Sequence, residues 1–412
     1  MIFLRINQDI LDLFDILCIL YYALKDILKN RNGGKMDLSI KSLGDRIKTF
    51  RKRLNLTQKD LAIQMGFNSP ETLSQIERGD RELKAWELVQ LAKLLSLNLN
   101  DLLNIEGVQE KPVVLWRESP EIDREIKESK FIKHCEDYAM LEELSGNRTA
   151  EQFPQKKVGP DDISYEMARR LASEIRREFN LGDRPARELI KILEEGFGIK
   201  IWYFEMEEGS AASTIGPFGP AILMNLNEAP WRRNYNFAHE IFHLITWNSF
   251  PPSLIKKSPD LWDKLEKIAN VFASCILLPS DVVTVEFEKN RDKNSIAYID
   301  LIGMARKFDV STEALLFRLL NLKLLNKNTV DKILKDQLFR EIDKSTMAPR
   351  WWRPPEFPER FVRLAFVAYK KGRLSKAKLA EMLDTSLIDL PKTLQEYGHK
   401  DREGYDAEVR VA

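Results

Sequence analysis

Tyr235-Asn236-Phe237-Ala238-His239-Glu240-Ile241-Phe242-His243-Leu244-Ile245 is the stretch on which the reading of this chain turns. Its apolar positions predict a helix that is buried rather than solvated. On a helix, His239 and His243 project from one face four residues apart, the spacing at which two imidazoles grip one Zn2+ ion. Glu240 between them is placed to take a proton from water on that ion. Such a site needs a third protein ligand and one open position. Beyond His243, Leu265-Glu266-Lys267-Ile268-Ala269-Asn270-Val271-Phe272-Ala273 predicts a second helix that offers Glu266, with Asn270 one turn further on. Before the motif, Gly219-Pro220-Ala221-Ile222-Leu223-Met224-Asn225 predicts a short strand ending in a turn. As an edge strand it would suit pairing with an extended peptide.

The composition frames this site. The chain has 412 residues, enough for two to four domains. Lys plus Arg (64) and Asp plus Glu (63) nearly cancel, which excludes a uniformly basic coat or an acidic tail but not a local patch. Cys18, Cys135 and Cys275 lie far apart without a CxxC pair. That excludes a disulfide scaffold or a thiolate zinc site and fits a reducing, cytoplasmic setting. Asp12, Asp15, Lys25 and Asp26 interrupt the apolar run 10–28. A charge at the centre of a membrane helix costs roughly 2.5–3.5 kcal/mol, so no membrane span is expected there. Residues 1–35 form an extension of unassigned role: either translation starts at Met36, or the extension is an amphipathic helix that packs on a partner or a second copy.

The other informative stretch runs from Ile40 to Asn104 and reads as five short helices. Thr57 and Ser69 stand as N-caps, Pro70 at a first helical position, Gly66 in a helix–helix turn and Gly79 as a left-handed C-cap. Lys41, Arg46, Lys48, Arg51, Lys52, Arg53 and Lys59 face only Asp45 and Asp60, a patch suited to phosphates. With Leu73 and Ile76 turned to the core, Glu71, Thr72, Ser74, Gln75 and Arg78 are left to face base edges in a major groove. Gln58, Ser69, Arg51 and Arg53 complete the expected contacts to double-stranded DNA. The string from Leu56 to Leu103, with Thr57-Gln58, Ala62, Gly66, Ser74-Gln75-Ile76-Glu77-Arg78-Gly79 and Leu91-Ala92, resembles the lambda-repressor-like helix-turn-helix family.

Around the metal motif, Tyr235 to His243 and the block Glu266-Lys267-Ile268-Ala269-Asn270-Val271-Phe272-Ala273-Ser274-Cys275-Ile276-Leu277-Leu278-Pro279 resemble the ImmA/IrrE family of metallo-endopeptidases. The likeness extends upstream to Leu181-Gly182-Asp183-Arg184-Pro185 and downstream to Arg318-Leu319. The resemblance implies that His239, His243 and Glu266 are zinc ligands and that Glu240 is the general base. Two positions depart from the family pattern. Phe242 stands where glycine is usual, and is expected to narrow the cleft, and Asn234 stands where arginine is usual.

These readings predict a mainly α protein with an α+β peptidase core. Its expected parts are a helix-turn-helix bundle over 40–105, a charged linker with one helix over 106–160, a zincin-like peptidase with a small sheet over 161–335, and a C-terminal helical domain over 336–412. Trp351 and Trp352 are expected as a packed hinge. His134, Cys135 and His399 receive no role. The expected function is a DNA-binding regulator that cuts a repressor or antitoxin-type protein, with Zn2+ as cofactor. A duplex operator, a helix-turn-helix repressor as substrate and a second copy of the chain are the candidate partners. The alternative is a non-catalytic regulator whose zinc domain only binds a partner or senses a signal.

Overall fold

The computed structural model describes residues 40–400 except for 55, 96, 98, 100–101, 103–111, 148–151, 294 and 348–350. The N-terminal extension and the expected start at Met36 lie outside the described residues. Two compact units divide after Gln109.

The first unit contains α1 (Ile40–Arg53), α2 (Gln58–Gln64), α3 (Pro70–Arg78) and α4 (Ala85–Leu94). The fifth expected helix falls mostly outside the described residues. The Thr57 side chain and Asp60 form a reciprocal capping box, and Ser69 caps α3 ahead of Pro70. Gly79 closes α3 in the left-handed region at φ 77°. Ile47, Leu61, Leu73, Ile76 and Leu91 make the core. Gly44 lets α1 approach α3 closely, since a Cβ there would run into the Ile76 carbonyl oxygen. Across the same contact Arg51 and Glu77 form a buried ion pair, Nε to Oε1 at 2.5 Å and Nη2 to Oε2 at 3.0 Å.

The second unit is built on a four-stranded mixed sheet of β1 (Leu115–Trp116), β2 (Lys200–Phe204), β3 (Ala211–Gly216) and β4 (Gly219–Asn225), in the order β1-β3-β4-β2. β3 is antiparallel to both β1 and β4, while β4 and β2 run parallel. The expectation that β4 is an edge strand is therefore corrected. β3 and β2 occupy both its sides, so its backbone has no free row for a peptide. A strand's apolar pattern reports which faces are covered, not which edges are paired.

Strand alternation gives the sheet two apolar faces. Leu115, Ile201, Ala211, Ile222 and Met224 point into one core. This core is shared with α6 (Tyr165–Glu178), α7 (Pro185–Lys191), α8 (Pro230–Ile245), the short α9 (Pro252–Ile255), α10 (Pro259–Leu277) and α11 (Ser280–Asn290). It continues through α12 (Tyr298–Lys307), α13 (Thr312–Asn321), α14 (Lys327–Lys335) and α15 (Gln337–Met347). Trp116, Trp202, Ala212, Ala221 and Leu223 point the other way.

The opposite face is covered by α5 (Arg124–Ser145), the helix of the expected linker, together with α16 (Glu359–Lys370), α17 (Lys376–Met382) and α18 (Leu390–Glu396). Trp202 is the centre of this second core, stacked on His134 at 4.5 Å and edge-on to Phe361 at 5.0 Å. Glu142 joins α5 to β2 and α16 through Lys200 Nζ at 2.9 Å and Arg360 Nη1 at 2.6 Å. Trp351 and Trp352 are not packed as a hinge. Both are about half exposed, Trp352 lying over the buried Arg233 guanidinium at 4.6 Å. Among the described residues no single helix is long and apolar enough to cross a membrane.

Candidate metal centre

α8 begins with Pro230 in its first turn, where a missing N–H costs nothing, and from Asn236 to Ile245 every side chain is buried. α10 packs against it through Phe242 and Phe272, whose rings lie 5.7 Å apart. Phe242 is fully buried in this contact. The expectation that it narrows the cleft is thus corrected, because the position before His243 faces the core rather than the metal side. Asn234 donates to the Asp309 carbonyl at 2.9 Å and takes no part in the site.

The helix crossing brings together the three expected ligands. His239 Nε2 lies 3.2 Å from Glu266 Oε2, His243 Nε2 lies 3.0 Å from Glu266 Oε1, and the two Nε2 atoms are 3.1 Å apart. Among the described residues these form the one group of His, Cys, Asp and Glu spaced to hold a metal ion. The donor set fits the ion: two nitrogens at about 2.0–2.1 Å from a tetrahedral zinc stand roughly 3.3 Å from each other. His239 and His243 are buried, and the Trp262 ring stacks on His243 at 5.0 Å.

Glu240 points to β3, where Ser213 Oγ donates to its Oε2 at 2.6 Å. Its Oε1 is buried without a hydrogen-bond partner. Burial pushes this carboxyl up to about 7, against the pull of His243 and Ser213. Burial likewise pushes His239 down to about 4. Burial works to raise Glu266 too, but the two imidazoles set against its oxygens hold it well below the usual carboxylate range. The site therefore pairs a firmly ionised carboxylate on the histidines with a second carboxylate poised near neutrality.

Sequence reasoning missed Ser213, Trp262 and Arg117. Arg117 Nη1 donates to Asn236 Oδ1 and Nη2 to Asn270 Oδ1 at 3.2 Å. Asn270 Oδ1 also lies 3.1 Å from His239 Nδ1. Ser213 and Arg117 carry no local mark, because strand pairing and helix crossing bring them to the site from far along the chain. Trp262 stands one turn before Glu266 on α10, a spacing that could have marked it.

Residues 194–320 match the family of the IrrE N-terminal-like domain. The stretch holds β2 to β4, both histidines, Glu240 and Glu266, and the family is one of metallopeptidases. Residues 47–102 match the helix-turn-helix family. From N to C terminus the chain thus carries a helix-turn-helix DNA-binding domain and then an IrrE-type peptidase domain. A comparison with curated proteins found no match. β1, Arg117, α5 and α16 to α18 lie outside the IrrE-type stretch.

On the DNA-binding domain, Glu71, Gln75 and Arg78 are exposed, and Thr72 and Ser74 are half-buried on the same helix. Arg78 is held by Ser74 Oγ at 2.6 Å, Asp80 at 2.8 Å and Glu71 at 3.1 Å. Ser69 is occupied as the cap of α3. Arg51 departs from the expected basic face. It is 7% exposed, bound to Glu77 and to the Leu56 carbonyl, and Gln58 Nε2 donates to the same Glu77 at 2.8 Å. A buried carboxylate between them draws both inward. Lys48, Lys52 and Lys59 remain exposed, while the Arg53 side chain lies outside what is described.

Proposed function

We propose that the chain is a zinc-dependent endopeptidase fused to an operator-reading module, and that it cuts a repressor or antitoxin-type protein of helix-turn-helix kind. The observation that carries this reading is the convergence of His239, His243 and Glu266 beside a buried Glu240 carboxyl with one unpaired oxygen. A zinc ion held there supplies Lewis acidity toward a peptide carbonyl and a water acidified toward neutrality. Ser213 holds Glu240 Oε2, which leaves Oε1 as the acceptor for the proton of the attacking water. With its affinity for protons raised by burial, the same carboxyl then delivers that proton to the leaving amide nitrogen. A purely structural ligand set would give Glu240 no such task.

In the first domain, the exposed face of α3 at Glu71, Thr72 and Gln75 is the proposed reader of base edges, with Lys48, Lys52 and Lys59 on phosphates. Tethering the peptidase to operator DNA raises its effective concentration over a repressor bound there. Co-expression with the products of neighbouring genes, wild type beside Glu240→Gln, tests the reading by mass analysis of fragments. A fragment present with wild type and absent with the variant supports it. Identical fragment patterns in the two favour a non-catalytic regulator.

A further inference from the structure

Arg117 stands one residue past β1, before the stretch that matches the IrrE-type family, and its guanidinium lies over the Tyr235 ring at 5.6 Å. Both of its side-chain hydrogen-bond partners are amides. A guanidinium carries donors and no acceptor, so each amide must turn its oxygen toward it. At Asn236 the other half of the amide agrees, because Nδ2 donates to Ser210 Oγ at 2.8 Å and to Glu228 Oε2 at 2.5 Å. At Asn270 the oxygen that receives Arg117 also faces His239 Nδ1. An amide oxygen accepts, so His239 must donate from Nδ1. In a neutral imidazole the lone pair then sits on Nε2, the atom turned toward His243 and Glu266.

We infer that Arg117 is a positioning residue for the metal centre: by orienting the Asn270 amide it selects the His239 tautomer whose Nε2 can ligate. The inference rests on the reading of His239, His243 and Glu266 as ligands. A metal-binding histidine commonly donates its second N–H to a carboxylate or a carbonyl, which fixes ring and tautomer. A side-chain amide accepts on one side and donates on the other, so it fixes the tautomer only when a third group chooses the side. Arg117 makes that choice. A carboxylate at position 270 would accept on both oxygens and would not require it.

The difference supplies the test on the full chain. Long-range proton–nitrogen correlation in metal-free, histidine-labelled protein reads the His239 tautomer, and competition against a chelator reads zinc affinity. Wild type should show His239 protonated at Nδ1. Arg117→Met should show mixed tautomers and bind zinc about 10–100-fold more weakly, the usual cost of losing an outer-shell partner. In an Asn270→Asp background the same Arg117→Met change should weaken zinc by less than about threefold, since no amide remains to be oriented. Equal losses in the two backgrounds, or a pure Nδ1-protonated His239 in Arg117→Met, would overturn the inference. Should Arg117→Met fail to fold, Arg117→Lys carries the same comparison, because a single ammonium cannot hold both amides in the fork geometry. Wild type that binds no zinc defeats the metal reading and the relay with it. Wild type that binds zinc with mixed His239 tautomers defeats the relay alone.

Discussion

Two neighbouring glutamates of the site are assigned opposite tasks, and their amide variants separate them. Glu240→Gln should keep zinc and fold, because its carboxyl is proposed to hold a proton rather than the ion, yet it should abolish cleavage. Glu266→Gln should lose zinc affinity and thermal stability together, a neutral amide being the poorer ligand. Equal zinc loss in both, read by metal analysis, would remove the division. Arg51 calls for a different measurement. Its pairing with Glu77 is buried on both sides, so Arg51→Met should lower the stability of the first domain by about 3 kcal/mol, the usual cost of stranding a buried partner. Thermal melts should register that loss. A phosphate-contacting arginine would instead leave stability unchanged and reduce the salt dependence of DNA binding.

At the scale of elements, what the sequence made readable was what repeats locally. The HExxH spacing, the caps at Thr57 and Ser69 and the C-cap at Gly79 each depend on residues within one helical turn. The helix carrying Phe131 and Leu141 was equally readable as a helix, but its place against Trp202 was not, because apolar spacing does not say which surface an element covers. The edge assignment of β4 failed for a related reason, and Ser213 escaped notice because only the β3 register brings it to Glu240.

The seating of α5 has a pH consequence. Burial against Trp202, helped by Lys130 and Lys133, pushes His134 down to about 4 from an ordinary value of 6.5. As pH falls below 6.5 the unfolded chain takes up a proton that folded His134 refuses until about pH 4, so stability drops through that window and levels off beneath it. The loss should be about 2 kcal/mol, allowing for the partial exposure of the ring. Denaturant melts at pH 7 and pH 4.5 should show His134→Phe, which keeps the stacking, losing less than wild type. Identical losses would mean that His134 carries no such burden.

On the scale of the whole molecule, the two proposed functions predict separable failures. Binding of duplex DNA should weaken steeply with salt, and removing Lys52 should lower that slope by about one while affecting all sequences alike. Gln75→Ala should cost roughly 1–3 kcal/mol at one base pair and leave the slope unchanged. A random-sequence selection that returns no preferred site would defeat the base-reading role of α3. The sheet itself sets an order of events. One face is covered by α6 to α15, most of which follow it directly. The other, against which α5 lies, is completed only by α16 to α18 near the end of the chain, with Arg360 reaching back 218 residues to Glu142. At roughly 5–20 residues per second, a ribosome completes α10 on the order of ten seconds before the last of these helices emerges. During that interval a nascent chain already owns both histidines and Glu266 while the sides of Trp202 and Tyr138 that meet Phe361 stand uncovered, an apolar surface of the kind that chaperones bind.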